Sequence, residues 1–155
     1  MAINIGDTAP DFKLQDTEKE FVSLSGFKGD KNVLLLFYPL AFSGVCTKEL
    51  CSTRDNMKIY ESLDAEVIGI SVDSFFTQKA FKEAQNLNFT LLSDFNKEAS
   101  QKYDAFYEDF FGMQGVSKRS AYVIDKEGRV RYAEVLEDAS QVPDFNAIQE
   151  CLSEL

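Results

Sequence analysis

From Asn32 to Tyr38 the chain reads NVLLLFY, apolar without interruption after its first residue. A strand with one face in water alternates apolar and polar side chains, so a run without alternation calls for cover on both faces, as in the centre of a layered α/β sheet. The run ends at Pro39, passes a short loop and opens a helix with Cys46. From Cys46 to Leu63 the pattern is helical, because Cys46, Leu50, Met57 and Tyr60 fall within about 40° of one line at 100° per residue. Cys46 therefore lies on the buried stripe, at the first turn of a helix and past the carboxyl end of a strand. Open α/β sheets gather their chemistry there.

The rest of the chain extends this frame. FKLQDTEKEFVSL has two apolar stretches around an acidic turn and predicts an N-terminal β-hairpin. AEVIGISVD, from Ala65 to Asp73, is a second buried strand, and Ser74 is placed to cap a helix through about Gln85. FTLLSD adds a short strand, followed by a helix from about Asn96 to Tyr103. Asp104 to Lys118 carries aromatics and two glycines without clean periodicity and is expected to be an irregular loop. RSAYVIDKEGRVRYAEVL reads as a hairpin turning at Lys126-Glu127-Gly128, and a last helix is expected to start near Pro143. The expected fold is α/β, with a mixed central sheet flanked by helices and an N-terminal β-hairpin extension. No linker or repeat divides the 155 residues, so one domain spanning 1–155 is expected.

Composition narrows the function. A formal net charge of −10 argues against nucleic acid and anionic membranes as partners, since both reward a basic face. The start, MAINIGDTAPDFKLQD, has no basic segment leading into an apolar core, and the longest apolar run is half of what spans a bilayer. A cytoplasmic protein is expected. Three cysteines do not make a disulfide framework, and with no histidine the chain lacks Ser-His and Cys-His pairs. A zinc site is improbable on the same inventory.

What remains is thiol chemistry. A helix N-terminus favours thiolate through its unpaired N–H groups and roughly half a positive charge. The bland alternative is that Cys46 acts as a small buried hydrophobe. The spacing of Pro39, Ser43 and Cys46 in PLAFSGVC resembles the active-site pattern P-x-x-x-T/S-x-x-C of the peroxiredoxins. GDTAPDF near the start and RSAYVIDKEGRVR late in the chain resemble that family's flanking segments in the same order. The resemblance implies a thioredoxin-like fold and a thiol-dependent peroxidase, with no bound cofactor, that reduces hydrogen peroxide and organic hydroperoxides through a sulfenic acid on Cys46.

The roles follow from the reaction. Peroxide cleavage needs a held thiolate and donors for the departing oxygen more than it needs a base. Ser43 and the backbone N–H groups of Gly44-Val45-Cys46 can donate, and Pro39 supplies a rigid, dry wall. By resemblance, Arg119 completes the site from a distant strand, where its guanidinium suits both thiolate and peroxide. Glu49, one turn after Cys46, is expected to orient Arg119, because a carboxylate left bare beside the sulfur would oppose the thiolate. Without the resemblance, Arg119 and Glu49 would read as solvated surface charges.

A sulfenic acid needs a second thiol. The C-x-x-x-x-C spacing of Cys46 and Cys51 is similar to that of the Q-type (bacterioferritin-comigratory) peroxiredoxins, in which the second cysteine resolves the first. In an intact helix the two Cα atoms stand roughly 8.7 Å apart, beyond the disulfide limit of about 7 Å, so the first turns would have to unwind. FYPLAFSGVC itself looks closer to the one-cysteine alkyl hydroperoxide reductase E type, in which an external thiol resolves. Both routes stay open, with Cys151 as a further candidate partner. The implied partners are a peroxide, an external reductant such as thioredoxin or a glutaredoxin-like protein, and a second copy in a homodimer. Phe42, Phe75, Phe76, Phe110 and Phe111 are candidates for an apolar collar or a dimer contact, with core packing the plainer role. A thiol-based redox sensor is the alternative function. A thioredoxin-like disulfide oxidoreductase is disfavoured, because the chain has no C-x-x-C pair and no proline between Pro39 and Pro143.

Overall fold

The structure is a computed structural model and describes residues 3–155. Its centre is the apolar run, now strand β3 (Asn32–Phe37), buried at every position. Parallel to it lies β4 (Ala65–Ser71), and parallel to β4 lies β5 (Thr90–Ser93). On its other side β8 (Ser120–Ile124) runs antiparallel, followed by β9 (Val130–Val135). The N-terminal hairpin, β1 (Lys13–Asp16) and β2 (Phe21–Ser23), joins the same sheet through β1 and β5, giving the order β2-β1-β5-β4-β3-β8-β9. The sheet is mixed, as expected.

Strand alternation sorts the β3 side chains into two cores. Leu34, Leu36 and Tyr38 pack with Cys46, Leu50, Tyr60, Phe81, Ile148 and Leu152 from the helices. Val33, Leu35 and Phe37 pack on the opposite face with Phe12, Ile68, Tyr103 and Tyr122. Each such side chain contributes about 1.5–3 kcal/mol by leaving water, and this is why the run is apolar from Val33 onward.

The helices refine three expectations and bear out a fourth. The pattern from Cys46 to Leu63 is two helices, α1 (Gly44–Asp55) and α2 (Met57–Ser62), separated at Asn56. The apolar stripe hides the break because both helices cover one face of the sheet. Ser74 caps α3 (Phe75–Gln85) as expected, accepting from the Thr77 N–H at 3.2 Å. The helix expected from Asn96 to Tyr103 is the shorter α4 (Glu98–Lys102). The last helix, α5 (Phe145–Ser153), begins after Pro143, because Asp144 accepts from the Ala147 N–H and takes the capping position.

The stretch read as an irregular loop contains a small ribbon, β6 (Phe106–Tyr107) paired with β7 (Val116–Ser117). Between them Phe110 and Met113 bridge across a tight turn in which Phe111 (φ 51) and Gly112 (φ 85) both take left-handed backbone. Such short pairings leave no periodicity in the sequence.

Candidate active site

The Tyr38 N–H donates to Ile70 O at 2.9 Å. Pro39, buried and without an N–H, then stops the strand pairing and turns the chain out of the sheet. In the loop Phe42 is left-handed (φ 68), at a cost of roughly 1–2 kcal/mol, and its ring packs 5.0 Å from Phe81. Ser43 takes the N-cap position of α1 in extended conformation, without a side-chain bond to the helix. Its hydroxyl donates instead to Leu40 O at 2.8 Å. The expected donation to peroxide would require this proton to leave Leu40 O, whereas acceptance by the hydroxyl lone pairs would not. The first-turn amides of Gly44, Val45 and Cys46 receive no cap from it and remain suited to an incoming oxygen.

Cys46 is fully buried. Arg119 reaches it from 73 residues away because Phe37 pairs with Ser120, which sets Arg119 just past the end of β3. Arg119 is only 2% exposed. Its Nη2 donates to Cys46 Sγ at 3.2 Å, its Nη1 to Glu49 Oε1 at 2.5 Å and its Nε to Ala139 O at 2.9 Å. The guanidinium is thus held on three sides with one edge on sulfur, an arrangement a flexible ammonium would not reproduce. Burial works against its charge, and Glu49 and Cys46 outweigh that, so its pKa is raised.

Glu49 is 1% exposed and only half satisfied, since Oε2 is buried without a partner. Burial pushes its pKa up to about 7 against the opposing pull of Arg119.

The other two thiols sit apart from this cluster. Cys51 is half-buried later in the unbroken α1, its Sγ donating to Gln85 Oε1 at 3.4 Å. Cys151, on α5, donates to Arg131 O at 3.6 Å, and burial raises its pKa. All three cysteines are free.

A cavity of about 590 Å³ opens onto Ser43 and Arg119 and is walled by Leu40, Val45, Tyr107, Phe110, Phe111 and Met113. Phe110 stacks on Tyr107 at 5.5 Å, and Phe111, 89% exposed, meets Phe110 edge-on at 4.8 Å. The proposed collar is therefore divided. Phe110 and Phe111 border the site, and Phe42 adjoins it through Ser43. Phe75 and Phe76 line a different cavity with Phe21 and Phe95. Core packing does not account for Phe42, Phe76 or Phe111, all of which are exposed. The sequence reading missed Asp73, whose carboxylate accepts from the Ala41 N–H at 2.7 Å.

A family model described as "AhpC/TSA family" matches residues 5–133. Alkyl hydroperoxide reductase E of Mycobacterium tuberculosis is 41% identical over 135 residues, 86% of either chain. Peroxiredoxin Bcp of Bacillus subtilis is 39% identical over 136 residues, 84% of this chain and 83% of that one. The crystal structure of peroxidoxin BcpB from Mycobacterium tuberculosis matches with a TM-score of 0.88 at 29% identity, covering 99% of this chain and 98% of the other.

Proposed function

The chain belongs to the AhpC/TSA family of peroxiredoxins, thiol-dependent peroxidases of thioredoxin-like fold, and on that premise we propose that Cys46 is its peroxide-cleaving residue. The observation that carries this reading is the buried contact of Arg119 with both Cys46 and Glu49. Thiolate attacks one peroxide oxygen, the O–O bond breaks, and the other oxygen leaves as alkoxide and takes up a proton. Sulfur is oxidised to sulfenic acid. Arg119 and the first-turn amides stabilise the charge passing to the leaving oxygen, while Ser43, donating to Leu40, receives the peroxide O–H on a lone pair. Pro39 walls the site, and Glu49 aims Arg119.

Cys51 then attacks the sulfenic sulfur, forming a disulfide and releasing water. A dithiol protein of the thioredoxin or glutaredoxin type returns both cysteines to thiols. This step requires α1 to unwind, and the missing side-chain cap at Ser43 favours opening at that end. Among the described residues no helix is long and apolar enough to cross a membrane. We place the protein in the cytoplasm as a homodimer, in keeping with a family whose members often pair.

Mass spectrometry under non-reducing conditions, after one equivalent of hydrogen peroxide, tests the cycle on wild type and Cys51→Ser. The expected result is a Cys46–Cys51 linkage in the first and sulfenic or sulfinic acid on Cys46 in the second. Stable sulfenic acid in both would transfer resolution to an external thiol. Unmodified Cys46 in both would end the peroxidase assignment of that residue.

A further inference from the structure

Asp73 lies two residues past the end of β4 and takes no part in the chemistry described above. Its Oδ2 accepts from the Ala41 N–H and from Ser71 Oγ, each at 2.7 Å. Ser71 Oγ accepts in turn from Gln78 Nε2 at 3.0 Å, and the same Nε2 reaches Leu92 O at 2.7 Å. Ser93 Oγ donates to Asp73 O at 2.7 Å, so the aspartate backbone is also held from β5. Ser71 and Gln78 are fully buried, and Gln78 lies on α3. One carboxylate oxygen thus joins a buried frame built on β4, β5 and α3 to the backbone of the loop that leads into Cys46.

We propose that Asp73 is a positioning residue for peroxide cleavage, holding the 39–43 loop by its Ala41 amide so that Ser43 and the start of α1 meet the peroxide. The inference rests on the peroxidase reading of Cys46. The loop needs such a hold. Pro39 offers no N–H, Phe42 is in left-handed backbone with its ring half in water, and the Ser43 hydroxyl bonds back within the loop itself. An amide bonded to a carboxylate is stronger than an ordinary backbone pair. Ala41 stands two residues before Ser43 and five before Cys46, so slack at that amide moves the ligand-facing groups. Arg119 is anchored elsewhere and keeps its own contacts with Cys46, Glu49 and Ala139.

That separation makes the role testable. Oxidation of Cys46 by hydrogen peroxide requires both the sulfur environment and the loop geometry, whereas alkylation of Cys46 by iodoacetamide requires only a reachable, reactive sulfur. In Asp73→Ala the rate of Cys46 oxidation, read by rapid quench and mass spectrometry, is expected to fall about 10- to 100-fold, the scale of a misplaced near-attack geometry. Alkylation at Cys46 stays at the wild-type rate, and Asp73→Asn, which keeps an acceptor for Ala41, restores most of the oxidation rate. If Asp73→Ala does not fold, Ser71→Ala, which removes the hydroxyl that aims the carboxylate, is expected to lower oxidation selectively in the same way. Wild-type oxidation in the folded Asp73→Ala protein, or an equal fall in both reactions, overturns the proposal. Failure of peroxide to oxidise wild-type Cys46 would instead remove the peroxidase reading and this inference with it.

Discussion

Asp94 and Glu49 are buried to the same degree, each 1% exposed, but only Asp94 is fully satisfied. Asp94 accepts from Ala99 N at 3.0 Å and Ser100 N at 2.7 Å, one bond per oxygen, and so starts α4 in place of a conventional cap. Glu49 has one oxygen on Arg119 and the other on nothing. A carboxylate that only completes a fold has its lone pairs matched by fixed N–H groups. One that leaves an oxygen bare is held by the arginine it steers, at a cost the fold must carry. On the proposed function the contrast separates a structural acid, Asp94, from the acid that aims Arg119.

Removing the arginine tests the contrast most severely. Arg119→Ala leaves both Glu49 oxygens bare and strips Cys46 of its donor, so the rate of Cys46 oxidation is expected to fall about 10²–10³-fold, or roughly 3–4 kcal/mol in the barrier. Rapid-quench kinetics with hydrogen peroxide measure it, and a fall of less than tenfold would deny Arg119 its role. Asp94→Ala should do the reverse. It exposes two buried N–H groups and costs about 1–3 kcal/mol of stability in denaturant melts, with Cys46 oxidised at the wild-type rate.

A third test is a matter of pH. Because Glu49 is raised from its ordinary 4.5 to about 7, the native state binds a proton that the unfolded chain has released. The stability from this group is complete below about pH 4.5 and declines as pH rises to about 7. Glu49→Gln, a permanent mimic of the neutral form, should remove that decline from melts taken across the window. It should slow Cys46 oxidation only about tenfold, equivalent to roughly 1.4 kcal/mol. A wild-type profile that matches the variant across the window would place Glu49 in the same class as Asp94.

The sheet was legible where burial acts on consecutive residues. NVLLLFY predicts a strand covered on both faces, and Ser74 announces its helix because a cap depends on neighbours in sequence. The break at Asn56 was not legible, since Cys46, Leu50, Met57 and Tyr60 keep one stripe across it. In the site, Cys46 could be argued from its place at a strand end. Glu49 and Arg119 came through resemblance, because a pair 70 residues apart has no local signature. Asp73 shared with Cys46 only its place past the carboxyl end of a buried strand, and nothing local named its partner. Its partner is a backbone amide 32 residues away, and any residue type at position 41 other than proline would present the same N–H.

The gap between α1 and α2 has a mechanical meaning. Met57 and Tyr60 hold α2 in the same core that takes Cys46 and Leu50 from α1. Asn56 is both the C-cap of α1 and the N-cap of α2, so fraying begun at Ser43 meets a break in the helix there. On the proposed cycle α1 opens at each turnover to form the Cys46–Cys51 disulfide, and amide exchange in the oxidised form is expected to show α1 open while α2 stays protected.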